Sequence, residues 1–182
     1  YEIRARLLGS EMCIRDSGKI INKARDEVAN VINEIAKTEQ VIVLSNKEDI
    51  NEIQNKTDHK NIDIVECKLD DSWMRDIAPI FYKEDEKLKS ISFEFNGYGK
   101  YPDYLNDNKI SKFISNYLNI PTKISDLVIE GGAITYDDKK NLFSTKNVIF
   151  NKNRKQKHNS EYIIEELKPV SYTHLRAHET SS

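Results

Sequence analysis

A run of ten residues, 70–79, concentrates the side chains that could do chemistry in this chain. It contains three carboxylates, one guanidinium group and the only tryptophan of the sequence. The ring of Trp73 can attract a cation, and the carboxylate of Asp76 can accept a bidentate hydrogen bond. Together they suit a planar cation such as guanidinium. An apolar, strand-like sequence follows from Ile77, so the charged groups must be paired or used.

The residue types leave a structural alternative open. A loop anchored by Trp73, in which Arg75 forms a buried ion pair with a neighbouring aspartate, would use the same side chains. If the pair were exposed to solvent, it would contribute little to stability.

Three segments of the sequence resemble the motifs of one enzyme family. Residues 71–76 with Pro79 resemble W-x-R-D-x-G-P, residues 127–132 resemble L-x-x-E-G-G, and residues 151–154 resemble N-x-N-R. These motifs, in this order, are those of the agmatine deiminase and bacterial-type peptidylarginine deiminase family. Ala78 departs from the pattern, because the family usually has glycine there. Alanine fits if the backbone keeps a negative φ.

The resemblance implies hydrolysis of a guanidine group, most simply agmatine to N-carbamoylputrescine and ammonia. In that scheme a cysteine thiolate attacks the guanidinium carbon, and a histidine protonates the leaving ammonia and then activates water. Asp76 and Glu130 would be catalytic carboxylates that also bind the substrate. Trp73 and Asp71 would be further substrate-binding residues, with Asp71 and Arg75 orienting the loop. The resemblance implies no cofactor and no metal site.

The nucleophile and the acid–base group of this scheme are not found in the sequence. The family's histidine lies in a G-H-x-D motif and its cysteine lies near the end of the full chain, and neither motif occurs here. Cys67 is interpreted as a buried thiol that packs as a small hydrophobe. His59 is interpreted as a solvated loop residue and His158 as a surface residue. We therefore expect this segment to be inactive by itself.

Other functions remain open on the same residues. A peptidylarginine deiminase would use the same carboxylates on a larger substrate. A non-catalytic module would use Asp76, Glu130 and Trp73 to bind a guanidino or amine ligand without chemistry. A hydrolase built on Cys67 and His158 would need two residues on unrelated elements to meet.

Length and composition limit the classes of function. The 182 residues suffice for one domain, with 38% hydrophobic and 32% charged residues. A net charge of −2 gives no support for nucleic acid or a membrane as partner, and no apolar run approaches the length of a membrane span. The expected partner is a small guanidino molecule, and a homo-oligomer stays open for the complete enzyme. Two cysteines indicate a reducing compartment, which predicts a cytoplasmic location.

Both ends of the chain differ from its middle. Residues 7–17 and 171–180 resemble translated sequencing-adapter sequence, and neither end shows helical or strand periodicity. We interpret residues 1–17 and 171–182 as artefactual ends. Residues 18–170 are then interpreted as the N-terminal half of a deiminase catalytic domain.

The middle segment predicts an α/β fold. The predicted order is a helix over 20–36 with Val31 in its core-facing stripe, a strand at 41–44, a short helix capped by Ser45 or Asn46, a strand at 62–67, a hairpin of 77–82 and 88–95, a loop at 96–102, a helix over 110–118, a strand at 122–129, a hairpin of 133–136 and 142–145, and a helix that begins at Asn159 or Ser160 and ends at Pro169. The resemblance implies a partial α/β-propeller, or pentein, fold of ββαβ-type units.

Two loops are less certain in their role. Loops rich in glycine and aromatic residues, such as 96–102, often border active sites, although ordinary turns are commoner. The basic cluster of Lys152, Arg154, Lys155 and Lys157 is interpreted as a solvated loop, since a nucleic-acid site would need a larger basic face.

Overall fold

The computed structural model describes residues 5–9, 18–58, 60–137, 139, 141–171 and 174–175. The chain divides into two compact units, Tyr1–Met74 and Arg75–Ser182, which are described separately below. Helices alternate with strands in both units, which confirms the predicted α/β class.

The first unit contains a three-stranded parallel sheet. Its elements are β1 (Ala5–Gly9), α1 (Gly18–Ala36), β2 (Gln40–Ser45), α2 (Ile50–Lys56) and β3 (Ile62–Glu66), and the strand order is β1-β2-β3. β1 lies in a segment for which we predicted no regular element, so that local expectation is wrong. The interpretation of the two ends as artefactual stays a prediction.

The core of this unit forms where α1 packs on the sheet. Ile32 and Ala36 of α1 and Val41 and Val43 of β2 are buried together. β2 is an almost continuous apolar run, as expected for a strand with both faces covered. The predicted stripe of α1 is wrong at Val31, which is 52% exposed.

Asn46 does not cap a helix, although we predicted it as a capping residue. Its side chain makes no capping hydrogen bond. Instead its Nδ2 donates to the carbonyl oxygen of Leu69 at 3.2 Å, and its Oδ1 accepts from the amide of Leu69 at 3.0 Å. The side chain thus ties the end of β2 to the segment that leads into Trp73.

The second unit repeats one strand pattern twice. The first set of elements is α3 (Met74–Ile77), β4 (Ile80–Glu84), β5 (Lys87–Glu94), α4 (Asp107–Tyr117) and β6 (Thr122–Val128). The second set is β7 (Thr135–Tyr136), β8 (Asn141–Phe143), α5 (Lys146–Ile149), α6 (Ser160–Ser171) and β9 (His174–Leu175). In each three-stranded sheet an antiparallel hairpin is followed by a helix and a strand parallel to the hairpin's second strand. Both sheets therefore have the ββαβ order.

The core of the second unit lies between its sheets and α6. Its buried members are Leu127, Ile129, Ile134, Leu142, Ile149, Ile163 and Leu167. Asn159 accepts a hydrogen bond from the amide of Tyr162 at 2.9 Å, which confirms the predicted start of α6.

Two predicted boundaries of this unit are wrong. Ile77 does not begin a strand but ends α3, because Pro79 disfavours helical backbone at Ala78 and β4 starts only at Ile80. The φ angle of Ala78 is not positive, so alanine fits where the family has glycine. Pro169 does not stop α6, which continues to Ser171. Proline removes one hydrogen bond near the helix end, whereas buried Leu167 packs the preceding turn into the core.

Among the residues described, no helix has the length and apolar character needed to cross a membrane.

Candidate active site

Asp76 lies in the short helix α3, where it is half-buried, and both of its carboxylate oxygens are held. The hydroxyl of Tyr98 donates to Oδ2 at 2.7 Å, and the amide of Gly132 donates to Oδ1 at 3.0 Å. A carboxylate oxygen can accept two hydrogen bonds, so each keeps capacity for a further donor. The carboxylate is thus fixed in orientation without being saturated.

The glycines after Glu130 allow this close approach. A Cβ on Gly131 would lie 2.3 Å from the carbonyl oxygen of Arg75, and one on Gly132 would lie 2.2 Å from Oδ1 of Asp76. No side chain fits in either place. The segment that resembles E-G-G therefore packs directly on the segment that resembles W-x-R-D.

Glu130 follows β6 and is 2% exposed. Its Oε1 forms an ion pair with Arg154, whose side chain is 13% exposed. Its Oε2 has no hydrogen-bond partner within the described part of the chain. A buried carboxylate oxygen without a donor is costly, so this oxygen is suited to a ligand with N–H groups.

Arg154 is not the solvated loop residue that we predicted. Burial lowers the pKa of its guanidinium, while Tyr98 and Asp76 act in the opposite direction. Its guanidinium carbon lies 5.9 Å from the centroid of the Tyr98 ring, within cation–π distance. The N-x-N-R-like segment thus contributes a buried cation beside the two carboxylates.

Tyr98 is a site residue that the sequence analysis did not name. It lies in the turn Gly97–Gly99 with a φ of 59°, and its ring meets Phe95 edge-to-face at 5.1 Å. The available signal was an aromatic residue between two glycines. That pattern does not reveal which group the hydroxyl contacts, because Asp76 is 22 residues away.

Asp71 and Trp73 belong to the first unit and contact each other. Oδ2 of Asp71 accepts from the indole Nε1 of Trp73 at 2.9 Å, and Oδ1 accepts from the amide of Ser72 at 2.6 Å. The indole is 50% exposed, which leaves a ring face for a ligand. These contacts fit an Asp71 that orients the loop. Substrate contacts of both residues stay predictions.

Arg75 does not form the buried ion pair of the structural alternative. It is exposed, and its Nη2 donates to the carbonyl oxygen of Ile134 at 3.4 Å. The charged groups around Asp76 are therefore arranged differently from a simple Arg–Asp anchor.

The interpretations of Cys67 and His158 need correction. Cys67 is half-buried rather than buried, with Sγ 3.9 Å from the carbonyl oxygen of Lys68. The side chain of His158 is only 19% exposed, its Nε2 lies 3.0 Å from Oδ1 of Asp126, and its ring stacks on Tyr162 at 4.0 Å. These contacts give His158 a structural role. His59 lies outside the described residues.

A search for groups of at least three His, Cys, Asp or Glu side chains placed to hold a metal ion, limited to the described ranges, finds none.

Comparison with known proteins identifies the family. The model of the Porphyromonas-type peptidyl-arginine deiminase family matches residues 13–174. A Mycoplasma capricolum protein, provisionally named an agmatine deiminase, is 34% identical over 146 residues, which are 77% of this chain and 40% of that protein. The agmatine deiminase of Pseudomonas aeruginosa is 29% identical over 147 residues, 77% of this chain and 39% of that enzyme.

The fold also matches that of a solved relative. The structure of C. jejuni agmatine deiminase with substrate bound, a Cys-to-Ser variant, superposes with a TM-score of 0.82 at 21% identity, over 96% of this chain and 52% of that one. The chain thus spans about 40% of the curated relatives named above and about half of this structure. By the match over residues 13–174, the chain belongs to the family of Porphyromonas-type peptidyl-arginine deiminases.

Proposed function

We propose that the complete protein of which this chain is part is a guanidine hydrolase that converts agmatine to N-carbamoylputrescine and ammonia. The observation that carries the proposal is the hydrogen bond from Gly132 to Asp76, because it joins two motif segments at one place. Beside it lies Glu130, buried and with one oxygen free to accept among the described residues. The names of the curated relatives support agmatine as the substrate.

The charges of this network favour a cationic substrate. Asp76 and Glu130 are both acids, and Arg154 supplies one positive charge, so the group retains one negative charge in excess. A guanidinium would neutralise it. Asp76 and the free oxygen of Glu130 would accept its N–H groups and fix its plane before reaction. Trp73 would contact the same substrate.

The chemistry would then run through two covalent steps. A thiolate attacks the guanidinium carbon and forms a C–S bond, and ammonia leaves after a histidine protonates it. The same histidine takes a proton from water, which attacks the resulting thiouronium carbon. The C–S bond breaks, the thiolate is restored and the ureido product leaves. We place the cysteine and the histidine in the part of the relatives' length that this chain does not cover.

This assignment predicts that residues 18–170 form the N-terminal half of the catalytic domain. Its two ββαβ sheets would be successive units of an α/β-propeller. Residues 1–17 and 171–182 would be foreign to the native gene. Resequencing that gene tests the proposal, and native codons identical to both ends would refute it. We also propose a cytoplasmic location for the complete protein and leave its oligomeric state open.

A peptidyl-arginine substrate is the second candidate, and the description of the matching family model favours it. Both substrates present the same guanidinium, so the carboxylates do not separate them. Assaying the complete protein with agmatine and with arginine-containing peptides distinguishes the two by the ureido product formed.

The decisive experiment replaces Asp76 in the complete protein. Asp76→Asn keeps the shape but removes the charge, and we expect at least ~2 kcal/mol of lost transition-state stabilisation, about 30-fold in kcat/KM. Asp85→Asn is the matched control, since Asp85 lies in the turn between β4 and β5 with a φ of 49° that asparagine tolerates. Full activity of Asp76→Asn would reject the proposal. Binding of agmatine without turnover by the unmodified protein would instead indicate a non-catalytic module.

A further inference from the structure

The side chain of Asn96 contacts both loops that complete the candidate site. Its Oδ1 accepts from the amide of Gly99 at 3.0 Å, and its Nδ2 donates to the carbonyl oxygen of Arg154 at 2.7 Å. The first contact closes the turn that presents Tyr98, and the second holds the residue that pairs with Glu130. One planar amide therefore links the two loops.

The turn that presents Tyr98 needs such support. Gly97, Tyr98 and Gly99 all have positive φ, at 63°, 59° and 66°. A tyrosine in this region is unfavourable and persists only where its surroundings enforce it. Besides Asn96, the carbonyl oxygen of Gly97 accepts from the amides of Lys100 and Tyr101 at 3.0 and 2.9 Å. These bonds fix the backbone from which the Tyr98 hydroxyl reaches Asp76.

The second loop packs on the first without space between them. A Cβ on Gly99 would lie 1.9 Å from the carbonyl oxygen of Asn153, so the two backbones are in direct contact. Asn151 accepts from the amide of Asn153 at 2.9 Å and shapes the turn Lys152–Arg154. The position of Arg154 therefore depends on the Gly97–Gly99 turn.

We infer that Asn96 is a positioning residue, which through these two hydrogen bonds holds Tyr98 against Asp76 and Arg154 against Glu130. The inference rests on the proposed function for its catalytic consequence. Asparagine suits the position because an acceptor and a donor are needed on one short planar group. Rotating the amide by half a turn would oppose donor to donor at Gly99 and acceptor to acceptor at Arg154.

Two substitutions in the complete protein separate the contacts. Asn96→Asp keeps the acceptor for Gly99 but turns an anionic oxygen toward the Arg154 carbonyl. Asn96→Ser keeps a weaker acceptor without added charge, in case the aspartate variant does not fold. Asn116→Asp makes the same chemical change at an exposed position of α4 and serves as the control.

We expect each Asn96 variant to lose at least ~10-fold in kcat/KM, since displacing site groups by about 1 Å can cost on the order of 100-fold. NMR of the Arg154 guanidinium gives a readout that does not depend on turnover. In the unmodified protein its N–H signals should be dispersed and slow to exchange, and in both variants they should approach those of a solvated arginine.

The outcomes distinguish this inference from the proposed function. An unmodified complete protein that forms no ureido product rejects the proposed function, and the Arg154 signals alone then decide the role of Asn96. If the unmodified protein is active, unchanged kcat/KM in the variants, or unchanged Arg154 signals, overturns the inference. Loss of both, with Asn116→Asp unaffected, supports it.

Discussion

The amide of Gly132 donates to Oδ1 of Asp76 at 3.0 Å, although the two residues are 56 positions apart in the sequence. Because a Cβ on Gly132 would lie 2.2 Å from that oxygen, Gly132→Ala must displace the carboxylate. We expect kcat/KM to fall by roughly 100-fold, as for a displacement of about 1 Å at a reacting group. Steady-state kinetics on the complete protein test this, and wild-type kcat/KM would contradict it.

Gly131 offers a contrasting substitution. Its added Cβ would meet the backbone carbonyl of Arg75 at 2.3 Å, which cannot move aside like the end of a side chain. We expect Gly131→Ala to reduce the free energy of unfolding by roughly 1–3 kcal/mol, as overpacking does in well-packed interiors. Gly132→Ala should lose less stability than Gly131→Ala. Denaturant unfolding of the two variants measures the difference, and the reverse order would refute the assignment.

Tyr98→Phe removes one hydrogen bond to Asp76 while keeping the ring. A hydrogen bond to a charged group contributes about 1.5–3 kcal/mol, so kcat/KM should fall roughly 10- to 150-fold. Tyr101→Phe is the control, because Tyr101 is 53% exposed and meets Tyr98 only edge-to-face at 6.2 Å. Equal effects of the two substitutions would remove Tyr98 from the site.

The ion pair of Arg154 and Glu130 predicts a non-additive change in stability. Arg154→Met leaves Glu130 buried without its cation and should cost about 3–5 kcal/mol, whereas a double variant that also carries Glu130→Leu should recover most of this loss. Lys123→Met tests a surface pair, since Lys123 lies 2.9 Å from Glu166 with 39% of its side chain exposed. That change should cost at most about 1 kcal/mol. Chemical unfolding gives all three values, and additive losses in the double variant would disagree with a buried pair.

Asp126 predicts a dependence of stability on acidity. The Tyr162 hydroxyl, and next the nearby charge of His158, hold the pKa of Asp126 below its ordinary value of 3.8 against the opposing effect of burial. A folded-state pKa that is depressed stabilises the protein above the ordinary value, and this contribution disappears as the pH falls through the folded-state pKa. Tyr162→Phe should therefore raise the pKa of Asp126 and move acid unfolding to higher pH.

The carboxyl carbon shift of Asp126, followed by NMR between pH 2 and about 6, measures this change. Tyr136→Phe is the control, because Tyr136 is 67% exposed. An unchanged midpoint for Asp126 in Tyr162→Phe would show that the hydroxyl does not set it.

Local patterns predicted most elements but not the contacts of the site. The period-two alternation of Ile91 and Phe93 identified β5, and the spacing of Ile110 and Ile114 identified α4, because burial imposes those periods. The boundaries at Ile77 and Pro169 were wrong, since tertiary packing decides where a short helix starts or a last turn ends.

The candidate site was predictable only where a motif named it. Asp76 and Glu130 came from the resemblance, and the structure places their segments in contact. Tyr98 and Arg154 could not be assigned their contacts, because the partners lie 22 residues or more away and no local periodicity records such a pairing. The same limit applies to Asn96, whose amide bridges 58 positions to Arg154.

The bond between Asp76 and Gly132 also has a consequence for biosynthesis. A ribosome adds roughly 5–20 residues per second, so the 56 positions between the two residues correspond to roughly 3–11 s of translation. During that interval the Asp76 carboxylate is already made but lacks the amide that holds it, and the arginine that pairs with Glu130 follows later still. The acidic site is therefore assembled near the end of this unit's synthesis, and a nascent chain stalled before Arg154 would expose both carboxylates to water.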